Sequence, residues 1–221
     1  MSWSRAKSRP DRPAPPQGTV AQTLRFAARH SVEAEGRGFV YHVDMSMTWA
    51  TIVGQRDDGR MRFAAEVASE LRRRGLSVQG FVEEPFEVDG ERKGWDLVRI
   101  SDEARRPLAR RSPEPNLCGY HFSEAVFDEA RAELDEAADV TLLTAGKLEA
   151  QGQGHWPAIE SAMRSRVAVL LIRPHLLSRF AVALPDPIAA LELPAPSEAI
   201  GAFVDAVEAA ARAREVVPSG G

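Results

Sequence analysis

Two short and almost entirely apolar segments constrain the fold of this chain more than any other feature of its sequence. Residues 139–144 read DVTLLT and Val167–Ile172 reads VAVLLI. A strand with no polar face is typical of a parallel sheet that helices cover on both sides. A parallel connection needs a crossover segment, and residues 156–163 between the two runs have a helical pattern. The sequence therefore predicts an α/β fold with a mainly parallel sheet.

The rest of the hydrophobic pattern continues the alternation of strands and helices. Residues 49–53 (WATIV) predict a strand, and residues 59–74 predict a helix because apolar side chains recur there every four positions. Asp89-Gly90 between two apolar stretches predicts a β-hairpin. Further strands are predicted at 39–43 and 76–82, and further helices at 20–28, 123–137 and in the C-terminal segment after residue 196. This order describes a doubly wound sheet with a β-hairpin insertion and a C-terminal helix.

The two ends of the chain differ in composition from its centre. Residues 1–18 contain four prolines, four basic residues and a single acid, which predicts a disordered basic arm. We interpret residues 19–48 as an N-terminal extension and residues 49–183 as the α/β core. Residues 184–221 are interpreted as a proline-rich connector followed by the C-terminal helix.

Charge and cysteine content exclude several classes of protein. Lys and Arg total 28 against 32 Asp and Glu, which argues against a nucleic-acid binder because such proteins carry a basic surplus. No apolar run is long enough to span a membrane, and residues 1–18 lack the apolar stretch of a secretory signal. One cysteine and five histidines without metal-ligand spacing predict no disulfide and no metal site. We expect a soluble, cytoplasmic protein.

The turn between the first core strand and its helix carries a partial phosphate-binding motif. Such a loop has the form G-x-x-x-x-G-K-[ST], and Gly54 and Gly59 have the required spacing. Arg60 takes the place of the lysine, and Met61 takes that of the hydroxyl that binds Mg²⁺. The candidate phosphate ligands of this loop are Gly54, Arg56, Gly59 and Arg60.

Further motifs follow this loop in a fixed order. Gly-Phe at 80–81 ends the next strand, a glycine-containing hairpin occupies 90–98, Cys-Gly-Tyr stands at 118–120, and Gly-Lys-Leu-Glu stands at 146–149. Across residues 50–173, this series resembles the small P-loop nucleoside-triphosphatase family first known from thermophiles. The resemblance implies a P-loop NTPase-like fold and a nucleotide ligand, ATP or GTP.

Residues 145–154 (AGKLEAQGQG) add a second resemblance. They are similar to the Phe-Gly-Lys-x-Glu-Ala-x-Gly-x-Gly signature of uncharacterised bacterial relatives, with Ala145 in place of the phenylalanine. Those relatives form a domain of unknown function linked to molybdate-transport genes, and they generally lack an intact phosphate loop. The resemblance therefore implies an oxyanion as an alternative ligand.

Departures from the active family concern the catalytic charges. In that family the strand before Gly-Lys-Met-Glu ends in Asp-Glu, which holds Mg²⁺ and positions the attacking water. Leu143 and Thr144 stand at those places here. Phosphoryl transfer depends on positioning and charge neutralisation by such groups, so we expect no ordinary hydrolysis and no Mg²⁺ bound in the usual way.

The loop after residue 145 supplies the remaining candidate site residues. Lys147, Gly152 and Gly154 are candidates for binding an anion, since a glycine-rich loop presents backbone N–H groups. Glu149 and Glu83 are the candidate catalytic acids, in place of the missing pair. The alternative interpretation of these residues is a solvated charge pair and a simple connector.

Other polar residues near these motifs have simpler interpretations. Cys118 is interpreted as a structural thiol and His155 as a partly exposed structural residue at a helix start. The arginine pairs 105–106 and 110–111 are interpreted as solvated surface, with anion binding as the alternative.

Three functions remain open from the sequence. The first is a degenerate, non-hydrolysing NTPase-like module that binds a nucleotide or an oxyanion and has a regulatory role. The second is a weak ATP or GTP hydrolase that uses Arg60 with Glu149 or Glu83. The third is a scaffold without a small ligand, which contacts a protein partner through the N-terminal arm or the C-terminal helix.

Overall fold

The computed structural model describes residues 47–55, 58–135 and 137–215. The predicted arm at 1–18, the helix at 20–28, the strand at 39–43 and the candidate ligand Arg56 lie outside these residues. The elements are, in chain order, β1 (Trp49–Val53), α1 (Arg60–Arg73), β2 (Val78–Val88), β3 (Glu91–Arg99), β4 (Arg105–Arg111), β5 (Tyr120–Phe122), α2 (Glu124–Ala132), β6 (Val140–Ala145), α3 (Trp156–Ser165), β7 (Val167–Ile172), α4 (Pro174–Ala183), β8 (Ala190–Glu192) and α5 (Ser197–Glu215).

All eight strands belong to one sheet with the order β5-β4-β3-β2-β6-β7-β1-β8. The pairs β2–β6, β6–β7, β7–β1 and β1–β8 are parallel. The pairs β2–β3, β3–β4 and β4–β5 are antiparallel. The mainly parallel α/β fold predicted from the two apolar runs is therefore confirmed.

The two apolar runs are buried on both faces because helices cover both sides of the sheet. Leu142 packs into an apolar cluster that includes residues of α1 and α5, whereas its neighbour Leu143 packs into a cluster with residues of α2, α3 and α4. Successive side chains of a strand point to opposite faces, so one continuous apolar run supplies both cores. This is the doubly wound arrangement.

Helix α1 begins and ends within one residue of the predicted bounds, 59–74. Phe63, Val67 and Leu71 form its buried stripe. Gly59 precedes the helix at φ 71°, and Gly75 follows it at φ 88°, a backbone conformation that glycine adopts without steric cost.

Helix α2 is shorter than predicted and ends at Ala132 rather than at residue 137. The Gln79 side chain of β2 explains the early end. Its amide nitrogen donates to the carbonyl of Asp135 at 2.7 Å, and its amide oxygen accepts from the Asp135 N–H at 2.7 Å. These tertiary hydrogen bonds replace the helical ones that the local pattern favours.

The segment predicted as a proline-rich connector contains an additional strand. β8 pairs in parallel with β1, and Leu191 is buried in the cluster that α1 and α5 share. Helix α4, which precedes the connector, was also not predicted, and Leu176 and Phe180 on it are buried. The antiparallel insertion is likewise larger than one hairpin, because β4 and β5 follow β3.

Helix α5 packs against the sheet with its apolar face. Phe203, Val204 and Val207 on this face are buried among residues of α1, β7 and β8. No helix in the described part of the chain combines the length and apolar character that a membrane crossing requires.

Candidate functional site

The candidate site lies at the carboxyl edge of the parallel strands. β1, β6 and β7 end side by side there, since Val53 pairs with Ile172 and Ile172 pairs with Ala145. Segments leaving these ends turn to different faces of the sheet, α1 to one side and α3 and α4 to the other. Such a topological switch point is where open α/β sheets bind ligands.

A cleft of about 230 Å³ opens at this edge. Its walls come from β2, β3 and β5, from the loop after β6 and from the start of α4. Its polar lining residues are Glu83, Arg92, Cys118, Tyr120, Lys147, Glu149 and Arg173. A cavity of about 190 Å³ between α2, α3 and β6 lies away from these strand ends, and its Gln79 side chain is already bonded to Asp135.

Arg60 begins α1 and extends back over the loop that follows β1. Its Nη1 donates to the carbonyl of Gly54 at 3.4 Å, and the residue is only 5% exposed. Its Nε is buried and has no hydrogen-bond partner among the described residues. The loop therefore holds a buried cation whose hydrogen-bonding capacity is not used up.

Charges around Arg60 set its protonation. Burial, together with a smaller effect of the nearby Arg173 charge, lowers the pKa of Arg60 to about 10, although the charges of Glu83 and Asp58 act in the opposite direction. The guanidinium is therefore still protonated at neutral pH.

The other described residues of this loop also form contacts within the protein. The N–H of Gln55 donates to the Asp58 carboxylate at 2.6 Å. Leu193, which follows β8, donates its N–H to Val53 and packs so closely on Gly54 that a Cβ there would lie 3.1 Å away. Gly59 has a positive φ, which suits the turn into α1.

The end of β6 carries no acidic side chain. Leu143 and Thr144 are both buried, and the Thr144 hydroxyl accepts a hydrogen bond from the Glu83 N–H at 3.0 Å. Among the described residues, no group of three or more His, Cys, Asp or Glu side chains is placed to hold a metal ion.

Glu149 organises the loop after β6 from within. It is 1% exposed, and its carboxylate accepts from the N–H groups of Gly146 at 2.7 Å and His155 at 2.8 Å. Gly154 has φ 62°, and a Cβ there would lie 2.3 Å from Oε1 of Glu149. Gly152 also has a positive φ, of 74°. The glycines of the signature thus allow the chain to turn closely around a buried carboxylate, and neither lines the cleft.

The carboxyl groups of Glu83 and Glu149 lie close enough for their charges to interact. Burial raises the pKa of Glu83, and the charge of Glu149 raises it further, against the opposing effect of Arg173 and Arg60. Burial also raises the pKa of Glu149, but its two backbone hydrogen bonds favour the ionised form. We therefore assign the charge of the pair to Glu149 and the proton to Glu83.

Three cations line the cleft, of which sequence analysis identified only Lys147. The Arg92 and Arg173 guanidinium carbons lie 5.1 and 5.4 Å from the centroid of the Trp95 ring. Arg173 is the first residue after the apolar run of β7, just as Gly146 is the first residue after β6. Its position at the end of a predicted strand could therefore have marked it in the sequence as a candidate site residue. Arg92 lies inside the predicted hairpin, and nothing local distinguishes it from its neighbours.

Lys147 and Cys118 meet at the rim of the cleft. Lys147 Nζ donates to the Cys118 sulfur at 3.3 Å, and both side chains are exposed. The cysteine, interpreted from the sequence as a structural thiol, is thus not buried in the core.

His155 stands just before α3 in an aromatic environment. Its ring stacks parallel to Phe81 and meets Phe127 edge-on at 4.7 Å. Burial lowers the pKa of His155 to about 3, with a smaller effect from Arg106, so the ring is neutral at physiological pH. The ring is buried rather than partly exposed as predicted, and its Nε2 has no hydrogen-bond partner among the described residues.

The predicted site residues thus fall into two neighbouring groups. Gly54, Gly59 and Arg60 form the loop after β1, while Glu83, Lys147 and Glu149 line the cleft. Arg60 connects the groups electrostatically, since the charges of Glu83 and Arg173 both act on it.

Comparisons with known proteins agree with this architecture. The chain resembles the solution structure of a human cancer-related nucleoside triphosphatase, with 18% identity and a TM-score of 0.52, over 73% of this chain and 96% of that one. No curated protein matches the chain. The model of the family DUF2478, described as a protein of unknown function, matches residues 49–183. The chain therefore belongs to the DUF2478 family and has a P-loop NTPase-like fold.

Proposed function

We propose that this protein is a degenerate P-loop NTPase-like module that binds a nucleotide or an oxyanion without hydrolysing it. The observation that carries the proposal is the identity and burial of the residues at the end of β6. The buried side chains of Leu143 and Thr144 stand where a hydrolase places its acids, and the Thr144 hydroxyl is engaged by the backbone of β2.

Loss of hydrolysis follows from the chemistry of phosphoryl transfer. The reaction depends on cations that neutralise the transferred group and on a residue that positions the water, and one such arginine contributes about 10³ to 10⁵ in rate. Here Arg60 replaces the loop lysine and Met61 replaces the hydroxyl ligand of Mg²⁺. A thioether is a poor ligand for a hard cation, so we expect negligible turnover.

Anion binding is supported by the charges that remain. Arg60 is protonated, buried and only weakly bonded to the Gly54 carbonyl, so an anion is a stronger acceptor for its guanidinium. We propose that Gly54, Arg56, Gly59 and Arg60 contact the ligand from the loop and that Lys147 contacts it from the cleft.

Gly152 and Gly154 act on this site indirectly in our proposal. Their positive φ values let the loop enclose Glu149, and Glu149 in turn fixes Gly146 next to Lys147. The position of the Lys147 backbone thus depends on the glycine signature.

Calorimetric titration tests the proposal directly. We expect ATP or GTP, or one of the oxyanions phosphate and molybdate, to bind with an affinity that does not depend on Mg²⁺, and we expect no release of phosphate from either nucleotide. Absence of heat with all four ligands would refute the proposal.

A matched pair of variants locates the binding. Arg60→Ala removes the buried cation, and we expect it to weaken binding about tenfold or more. Arg62→Ala on the same helix removes an exposed arginine that pairs with Glu66, and we expect unchanged affinity. Equal affinity of the Arg60→Ala variant and the wild type would exclude the loop from the site.

The alternative of a weak hydrolase is supported by the environment of Glu83, a carboxyl group whose raised pKa suits a general base near neutral pH. Phosphate release that requires Mg²⁺ and is abolished in Glu83→Gln would establish the hydrolase in place of our proposal. Unchanged release in that variant would exclude Glu83 as the base.

A scaffold function is the third possibility, through the N-terminal arm at residues 1–18 or through α5. The apolar face of α5 is covered by the sheet, so α5 offers a protein partner its polar outer face. A partner that copurifies with the full chain and is lost when residues 1–18 are deleted would favour this function.

A further inference from the structure

We propose that Arg92, Arg173 and Lys147 form the binding site for a phosphate-type oxyanion in the cleft. This inference rests on the proposed function, because it names the groups that receive the anion, and it adds two arginines that are not among the site residues predicted from the sequence.

The three cations differ from their neighbours in having no carboxylate partner. On the adjacent strand β4, Arg106 pairs with Glu133 and Arg110 with Asp96, both at 2.6 Å. Arg92 donates only to the Tyr120 hydroxyl, at 3.3 Å, and neither it nor Arg173 or Lys147 forms an ion pair with a described carboxylate. Unpaired cations gathered around one cavity are available to an external anion.

Trp95 holds the two arginines in position. Both guanidinium groups lie within 5.4 Å of its ring centroid, and Trp95 itself is 8% exposed and anchored in the core. Arginine stacked on an aromatic ring keeps its N–H edges available for an oxyanion, and the stacking reduces the entropy that binding has to remove. The arginines are thus preorganised rather than free in solvent.

The charge of the cleft is positive overall. Of its two carboxyl groups, Glu149 is occupied by two backbone N–H groups and Glu83 holds the shared proton. Behind them lies the buried Arg60, whose Nε has no partner among the described residues. The single carboxylate charge of Glu149 therefore faces several cations.

The size of the cleft limits the ligand. Its volume of about 230 Å³ is smaller than the roughly 300–1,000 Å³ of a typical site for a drug-sized molecule. We infer that it holds a free tetrahedral oxyanion or the phosphoryl group of a larger molecule whose remainder lies outside. Both sources share the same chemistry, and the experiment below separates them.

Cys118 provides a built-in reporter, since it is the one cysteine in the sequence and its exposed sulfur lies 3.3 Å from Lys147 Nζ. Its thiolate displaces iodide by the same substitution reaction from iodoacetate, which is an anion, and from iodoacetamide, which is neutral. Dividing the iodoacetate rate by the iodoacetamide rate removes the contribution of the thiol's own reactivity. The ratio therefore increases with the positive electrostatic potential around Cys118.

We expect Arg92→Gln and Arg173→Gln each to lower this rate ratio several-fold, about fivefold if the lost charge lies close to the reagent. Lys93→Gln is the matched control, because Lys93 neighbours Arg92 in β3 but pairs with Glu91 on the exposed hairpin. Its ratio should equal that of the wild type. Equal ratios in all four proteins would overturn the inference.

Protection of Cys118 then identifies the source of the oxyanion. We expect phosphate or molybdate to slow iodoacetamide labelling of the full chain, and both arginine variants to weaken that protection about tenfold or more. Protection by a nucleotide at much lower concentration than by phosphate indicates a phosphoryl group; protection by free oxyanions alone indicates a free ligand. Arg92→Lys retains the charge and should recover part of the protection, which distinguishes lost binding from lost folding.

The outcomes separate this inference from the proposed function. If ATP binds in an Arg60-dependent manner while no oxyanion or nucleotide protects Cys118, the proposed function stands and the cleft is not the site. If phosphate protects Cys118 through Arg92 and Arg173 but nucleotides do not bind, the cleft is the site and the nucleotide form of the proposed function fails.

Discussion

Glu149 shows at the residue scale how an apparent catalytic acid serves the fold. A buried carboxylate that accepts two backbone N–H groups satisfies donors that otherwise have no partner at a tight loop and at the start of α3. The same bonds occupy its oxygens, so little capacity is left for a ligand. The acidic residue in the Gly-Lys-Leu-Glu motif is therefore explained by the loop geometry around it.

Glu149→Ala removes both of these hydrogen bonds. Because each buried N–H left without a partner costs about 1–3 kcal/mol, we expect the free energy of unfolding to fall by roughly 3 kcal/mol. Urea denaturation measures the change. Glu160→Ala, which breaks an exposed pair with Arg164, is the control and should change stability by less than about 0.5 kcal/mol. A small effect of Glu149→Ala would show that water replaces the carboxylate.

Glu83 makes a contribution to stability that depends on pH. Its pKa in the folded protein is raised by burial and by the charge of Glu149, so the folded state binds its proton more tightly than the unfolded state. The contribution is fully present below about pH 4.5 and is lost as pH rises toward about 8. We expect Glu83→Gln to remove this loss, so that its stability declines less than that of the wild type between these values.

The comparison requires both proteins because other groups also titrate. His155 acts in the opposite direction, since its lowered pKa makes the folded state lose stability as pH falls below about 6.5. Urea denaturation at several pH values gives the difference between the wild type and Glu83→Gln, in which the effect of His155 cancels. A difference independent of pH would show that the Glu83 pKa is not raised.

At the scale of elements, the loop between β6 and α3 depends on glycine at two positions. Gly154 combines a positive φ with a close approach to the Glu149 carboxylate, and any Cβ at this position meets Oε1 at 2.3 Å. The loop therefore cannot retain its shape around Glu149 with another residue there. The adjoining Lys147 then changes position as well.

Gly154→Ala should lower the free energy of unfolding by about 2 kcal/mol or more, through backbone strain and displacement of Glu149. Gly201→Ala is the matched control, because Gly201 lies inside α5 with open space around it. Alanine is the better helix former, so the control should gain roughly 0.5–1 kcal/mol. Thermal denaturation of both variants gives the comparison, and an unchanged Gly154→Ala variant would contradict the role assigned to the loop.

At the scale of the whole molecule, the C-terminal segment completes the sheet and its cover. β8 extends the sheet beyond β1, and the segment after it packs on the loop at Gly54. Helix α5 covers the same face as α1. The chain after residue 184 is thus part of the folded unit that holds the candidate site.

Phe203→Ala tests this integration. Phe203 is 3% exposed on the inner face of α5, and truncation of a buried phenylalanine costs about 3–5 kcal/mol through lost contacts and a cavity. Val182→Ala at a position that is 85% exposed is the control and should leave stability nearly unchanged. Denaturant unfolding followed by fluorescence measures both. Equal stability of the two variants would mean that α5 is peripheral to the fold.

Most of the central architecture could be predicted from local patterns. The apolar runs of β6 and β7 and the stripe of α1 are periodic over enough residues to identify their element types. β8 was missed because it has only three residues within a proline-rich segment. Its strand conformation is stabilised by pairing with β1, and its own sequence is too short to show a strand pattern. α2 was predicted too long because Gln79, far away in the sequence, bonds the residue at which the helix would continue.

By itself, the sequence determined the parallel core, the spacing of Gly54 and Gly59 after the first strand, and the presence of Leu143 and Thr144 at the end of β6, because these are properties of contiguous residues. Only the tertiary structure decided that Glu149 bonds the backbone, and that Arg92 and Arg173 share Trp95 around one cleft. These arginines come from strand and loop segments far apart in the chain. Their proposed ability to bind an anion depends on their forming no ion pair with a described carboxylate. Ion pairing between distant residues is a property of the packed molecule rather than of any local pattern.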